Sequence, residues 1–165
     1  MKTLFLVRHA KSSWDNAALP DNERPLNERG ERDAPRMGKR LVSRGVKPDI
    51  LISSPALRAH STAVRIAAEI GYPKDDIQVN DKLYFNGANG MLDVIRSLIP
   101  RVGSAMLFGH NPNMTLLIND LANTTIGNVP TCGIAEIKFD IESWKEIETG
   151  LGAMQLFDYP KRVDD

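Results

Sequence analysis

Arg8 and His9 stand side by side at the end of the apolar run Thr3-Leu4-Phe5-Leu6-Val7. Two such groups repel each other when both are charged, and half-burial at a strand tip raises the cost. An anion bound between them removes it. Two other places repeat the theme: "SSPALRAHSTA" carries Arg58, and "LFGHNP" carries His110 followed by Asn111. A neutral imidazole is a competent nucleophile near pH 7, and cations around phosphoryl oxygens stabilise transition-state charge. The planar fork of arginine holds two oxygens at once. Together these residues point to phosphate or another tetrahedral oxyanion, with His9 as attacker, Arg8 and Arg58 as clamp, and His110 and Asn111 as further contacts. The leaving group of an ester also needs a proton from a carboxylic acid.

These side chains need elements to converge them. Apolar runs and helical patterns alternate along the chain: strands at 3–7, 49–52, 77–79 and 105–108, and helices at 27–44, 55–70, 90–99 and 111–122. Pro35 conflicts with an unbroken first helix, which either kinks or has a separate first turn. Residues 133–139 and 146–157 then read as a strand pair joined through 141–145. The sum is an α/β chain of three layers, α/β/α, with a mostly parallel central sheet and an antiparallel edge. Ligands of such sheets lie at the carboxyl ends of the strands. Arg8-His9, the Ser54-Pro55 helix start with Arg58, and His110 all fall there. Ser54 and Asn111 read as helix caps, and each helix N-terminus favours an anion.

Composition bounds the alternatives. The chain has 165 residues, enough for one domain, and its 21 Lys+Arg balance 21 Asp+Glu. A nucleic-acid or anionic-membrane partner calls for a basic excess or a basic block, and neither stands in the sequence. Cys132 is the single cysteine, which suits a reducing compartment, and it reads as a buried inert thiol. No apolar stretch is long enough for a membrane span or a leader, so a cytoplasmic protein is expected. Three histidines without HExxH-like spacing offer no metal centre, and no cofactor is expected.

Taken in order, "LVRHAKSSW", "DNERPLNERG", "SSPALRAHSTA" and "LFGHNP" resemble the histidine phosphatase superfamily, most closely its small SixA-like branch of phosphohistidine phosphatases. The resemblance spans roughly residues 4–139. It implies a phosphoglycerate-mutase-like fold, a covalent phosphohistidine on His9, and Arg8, Arg58 and His110 around the phosphoryl group without metal. It also implies a phosphorylated substrate, with a phosphohistidine-bearing signalling protein as the partner. The chain departs from the family at Ala10, where glycine is usual, and at Lys11-Ser12 and Asp15, where the mutases carry Glu-Ser and Asn. Many members place a glutamate acid after the third strand, but "NDKLYFNGANG" offers only Asp81. Asp15 and Asp21, on the loop after His9, are the remaining acid candidates.

Each residue also has a plain structural role available. Arg58 alone reads as a surface ion-pair partner, His110 alone as a satisfied structural histidine, and Trp14 as packing for its loop. His60 points to another face of the Arg58 helix and reads as exposed. The charges of Glu28, Arg29, Glu31, Arg32, Asp33, Arg36, Lys39 and Arg40 read as a solvated helix face. Three activities fit the pattern: a phosphatase for protein phosphohistidine, a phosphatase or mutase for small phosphate esters, and a catalytically quiet phosphate-binding module. Short connections between the elements, without lid segments, favour the first.

Overall fold

The computed structural model describes residues 1–162. Its strands are β1 (Lys2–Arg8), β2 (Ile50–Ser53), β3 (Gln78–Val79), β4 (Ser104–Gly109), β5 (Ile134–Phe139) and β6 (Ala153–Asp158). The helices are α1 (Glu28–Ser43), α2 (Leu57–Ile70), α3 (Lys82–Phe85), α4 (Gly87–Arg96) and α5 (Asn113–Ala122). One sheet runs β3-β2-β4-β1-β5-β6, with β3, β2, β4 and β1 parallel and β5 antiparallel to both of its neighbours.

Alternation along the central strands separates the core into two faces. Leu4, Leu6, Ala105 and Leu107 pack with α4 and α5 through Met91, Ile95, Met114 and Ile118. Phe5, Val7, Met106 and Phe108 pack on the other side against Ala34, Met37, Leu41, Ala63 and Ile66 of α1 and α2. Strands buried on both faces read as continuous apolar runs, which is why β1 and β4 are so plain in the sequence.

Several local expectations are corrected. Helix α1 runs unbroken from Glu28 to Ser43 with Pro35 inside it, so its first turn is not separate. Its charged face is not uniformly solvated: Asp33 is 3% exposed and pairs with Arg29, while Arg40 binds Asp158 and the carbonyls of Tyr159 and Pro160. The last strand begins at Ala153 rather than 146, because residues 144–146 form a 3₁₀ turn closed by a Ser143–Glu146 capping box. Trp144 is fully buried there and its indole donates to the Val102 carbonyl at 2.7 Å. Among the described residues, no helix is long and apolar enough to cross a membrane.

Candidate active site

The carboxyl end of β1 meets that of β4: Arg8 pairs with Gly109 in register, and the His9 amide donates to the Gly109 carbonyl at 3.1 Å. His9 and His110, the next residue after each strand, are thereby neighbours, with ring centroids 5.2 Å apart. Arg58 arrives on the first turn of α2. Thr62 ties that turn to the β1 loop, donating to the Arg58 carbonyl at 2.7 Å and accepting from the Ala10 amide at 2.9 Å. The four expected residues Arg8, His9, Arg58 and His110 all line one cavity of about 160 Å³, together with Lys11, Ser12, Trp14, Arg24, Asn111 and Thr131. That is room for a tetrahedral oxyanion. Larger hollows lie elsewhere, one of about 670 Å³ beside Ile50, Tyr72 and Leu98, and contain none of these side chains.

The tautomer of His9 is fixed by geometry. Its Nδ1 lies 2.7 Å from the Ala10 carbonyl, which can only accept, so Nδ1 carries the proton and Nε2 the lone pair. Burial holds the imidazole pKa down to about 3; the Ala10 bond opposes this, while His110, Arg58 and Arg8 add to it. Burial likewise lowers His110 to about 4, with Arg58 reinforcing it. Both rings are therefore neutral at pH 7. Arg8 donates Nη1 to the Val129 carbonyl at 2.9 Å, and its buried Nε has no partner among the described residues.

Asn111 reaches the cavity with its polar atoms engaged. Its amide donates to Asn128 and to the Val129 carbonyl, each at 3.0 Å, while its oxygen accepts from the Thr115 amide and hydroxyl. It fastens α5 to the segment that holds Arg8. At the start of α5 the Met114 amide donates to the His110 carbonyl at 2.8 Å. Ser54 caps differently from expectation: its hydroxyl accepts from the Ala56 amide at 3.2 Å and lies 2.8 Å from Nε2 of His110.

The acid candidates separate. Asp15 is exposed and lines a different hollow with Asn16, Leu19 and Arg29, so the fold does not bring it to the cavity. Asp21 does approach: its carboxylate accepts from Arg58 at 2.9 Å, from Arg24 at 3.2 Å and from the Tyr84 phenol at 2.5 Å, and its carbonyl accepts from Arg58 at 2.7 Å. The Tyr84 bond, aided by both arginines and opposed by partial desolvation, holds Asp21 down to about 2. Such a carboxylate is ionised at neutral pH and accepts hydrogen bonds. Its carboxylate oxygens are held by Arg58, Arg24 and Tyr84, beside the cavity where an acid would act.

Several residues of the site escaped the sequence reading. Arg24 is buried, donating to Ser12 at 2.6 Å and to the Ser13 carbonyl at 3.1 Å, and its guanidinium lies 3.3 Å from the centre of the Trp14 ring. Trp14 is 71% exposed, so it covers Arg24 rather than packing into a core. Tyr84 stands in "NDKLYFNGANG" where only an acid was sought. His60 is half-buried and does not line the cavity. Cys132 is buried and its thiol pKa is pushed up by burial, as expected of an inert thiol.

The histidines and arginines Arg8, His9, Arg58 and His110 gather at the carboxyl ends of parallel strands of an α/β sheet. The branch 1 profile of the histidine phosphatase superfamily matches residues 4–84 of this chain. An Agrobacterium tumefaciens protein described as phosphohistidine phosphatase SixA is 26% identical and superposes with a TM-score of 0.81, over 96% of this chain and 98% of its own. A SixA protein histidine phosphatase complexed with tungstate, 22% identical, shares the fold at a TM-score of 0.81 over 96% and 97%. An uncharacterized chloroplastic protein of Arabidopsis thaliana is 29% identical over 153 residues, 88% of this chain and 70% of that one. A 2,3-bisphosphoglycerate-dependent phosphoglycerate mutase of Chelativorans sp. is 34% identical over 88 residues, 50% of this chain and 43% of the mutase. The matched stretch is thus less than half of the mutase's length.

Proposed function

We propose that this protein is a phosphohydrolase that works through a phosphohistidine on His9 and removes phosphate from protein phosphohistidine. The observation that carries the proposal is the His9 tautomer: an imidazole whose Nδ1 proton is held by a carbonyl, with its Nε2 lone pair free, in a cavity of phosphoryl size ringed by arginines. Nε2 attacks phosphorus and the bond from phosphorus to the substrate nitrogen breaks. Proton uptake on the distal nitrogen of the substrate ring lets that group depart as neutral imidazole. Water then attacks the phosphorus on His9 and releases inorganic phosphate, restoring the ring. Arg8 and Arg58 balance the charge on the phosphoryl oxygens in both steps.

Two features favour phosphohistidine over alkyl esters. An imidazole leaving group asks less of a general acid than an alkoxide does, and the nearest carboxyl, Asp21, is ionised. The small cavity also leaves the rest of the substrate outside, which suits a phosphoryl group carried on a protein. The partial match to phosphoglycerate mutases favours a second reading, a phosphatase or mutase of small phosphate esters. A substrate panel separates the two: kcat/KM is expected to be highest for a phosphohistidine domain, intermediate for aryl esters and lowest for sugar phosphates or phosphoglycerate. The reverse order rejects the phosphohistidine reading. His9→Ala is expected to abolish turnover with the fold intact, and acid-labile phosphate should be trapped on His9. Phosphate trapped on Ser53, Ser54 or Cys132 would remove His9 as nucleophile.

A further inference from the structure

His110 is a neutral imidazole and so has one N–H to offer. If that proton sits on the nitrogen turned toward a bound oxyanion, the ring attracts it; if the lone pair sits there, the ring repels it. Nothing in the sequence decides which. The fold does, through a residue that reads in the sequence as a helix cap.

We propose that Ser54 is a positioning residue that holds His110 in its Nδ1–H tautomer, so that this nitrogen donates to the phosphoryl oxygen. Ser54 is 0% exposed, and its hydroxyl oxygen lies 2.8 Å from His110 Nε2. The same oxygen already accepts from the Ala56 amide at 3.2 Å. Among the described residues the hydroxyl proton has no acceptor other than His110 Nε2. It therefore donates to that nitrogen, which must be unprotonated, and the ring proton is left on Nδ1. Among the described residues, Nδ1 is buried and has no hydrogen-bond partner. In the opposite tautomer the buried serine proton has no acceptor. Leaving buried polar groups unpaired in this way is costly. Neutrality of the ring, which the argument needs, follows from its burial and from the nearby Arg58 and Arg8, against which Asp21 works.

The inference rests on the reading of the cavity as a phosphoryl site, but its test does not need the substrate. Nitrogen-15 NMR of the free protein at pH 7 should find a pyridine-like Nε2 and a pyrrole-like Nδ1 on His110. Inorganic phosphate should then shift the Nδ1 proton. A pyrrole-like Nε2 in the wild-type protein overturns the proposal whatever any variant does. Ser54→Ala should give mixed tautomers and weaken inorganic phosphate binding by about tenfold, less than the ~10²–10³ typical of deleting a direct oxyanion donor. Ser54→Thr, which keeps the hydroxyl, should retain the wild-type tautomer. Unchanged His110 nitrogens and unchanged phosphate affinity in Ser54→Ala also overturn it. Failure of the phosphohistidine reading appears elsewhere, as a substrate panel led by small esters with the His110 tautomer still obeying Ser54.

Discussion

At the residue scale, the site keeps two imidazoles neutral by burying them beside arginines. In the proposed mechanism His9 attacks only when unprotonated, so activity is lost as the pH falls through its folded pKa. With that value near 3, and His110 near 4, the acid limb of kcat/KM should lie near pH 4 or below once substrate ionisation is allowed for. A limb near 6.5, the ordinary histidine value, would mean that the rings are solvated in the working enzyme. Arg58 makes a second test. It is held by Asp21 from two directions, which aims the fork and leaves it dependent on that contact. Arg58→Ala should lower kcat by roughly 10²–10³ if the guanidinium stabilises the phosphoryl transition state. Single-turnover rates measure this, and a loss below tenfold would take Arg58 out of the chemistry.

The decisive element is the loop from Ala10 to Asn27, which carries Trp14, Asp21 and Arg24 over the cavity. It has little regular structure, and backbone contacts hold it instead: Ser12 bridges to Leu26, Ser13 donates to the Pro25 carbonyl, and the Asn27 amide donates to the Lys11 carbonyl at 3.0 Å. Gly30 of α1 allows that last approach, for a Cβ there would stand 2.2 Å from the Lys11 oxygen. Gly30→Ala should therefore push the loop outward and destabilise the protein by about 1–3 kcal/mol, the usual cost of overpacking. Chemical denaturation checks the stability. A rise in KM should accompany it, because Arg24 and Asp21 move with the loop. A Gly30→Ala protein with wild-type stability and KM would show that this contact does not set the loop.

Across the whole molecule, the formal charge is zero, yet the cavity gathers Arg8, Lys11, Arg24 and Arg58 with Asp21 as the adjoining acid. Holding two histidines neutral in such a place has a consequence for folding. Their folded pKa values, about 3 and about 4, lie below the 6.5 of the open chain, so the unfolded state binds more protons in between. Stability is then fully present above pH 6.5 and falls as the pH drops toward those values, by up to about 1.4 kcal/mol per pH unit for each ring. Asp21 adds a weaker loss between about 3.8 and about 2, muted because its side chain is 52% exposed. Denaturant midpoints between pH 7 and pH 4 should follow this slope, and His110→Gln should flatten it. A midpoint independent of pH over that range would contradict the buried neutral pair.

The sequence by itself determined the three layers, the mostly parallel sheet and the placing of Arg8, His9, Arg58 and His110. Each depends on local pattern plus one topological rule: apolar runs make buried strands, and the residues that follow parallel strands share an end of the sheet. The roles of the remaining polar groups were decided by tertiary structure. Asp21 meets Arg58 across 37 positions and Tyr84 across 63, and Ser54 meets His110 across 56. Those contacts turn an acid candidate into an ionised acceptor and a cap into a partner for an imidazole. Asp15 and Asp21 are equally plausible acids in a linear reading, since both lie on the same loop. Only the loop's path over α1 and α2 sends one outward and brings the other to Arg58. A hydrogen bond depends on tenths of an ångström and on which partner is already satisfied, and neither is written in the periodicity of a chain.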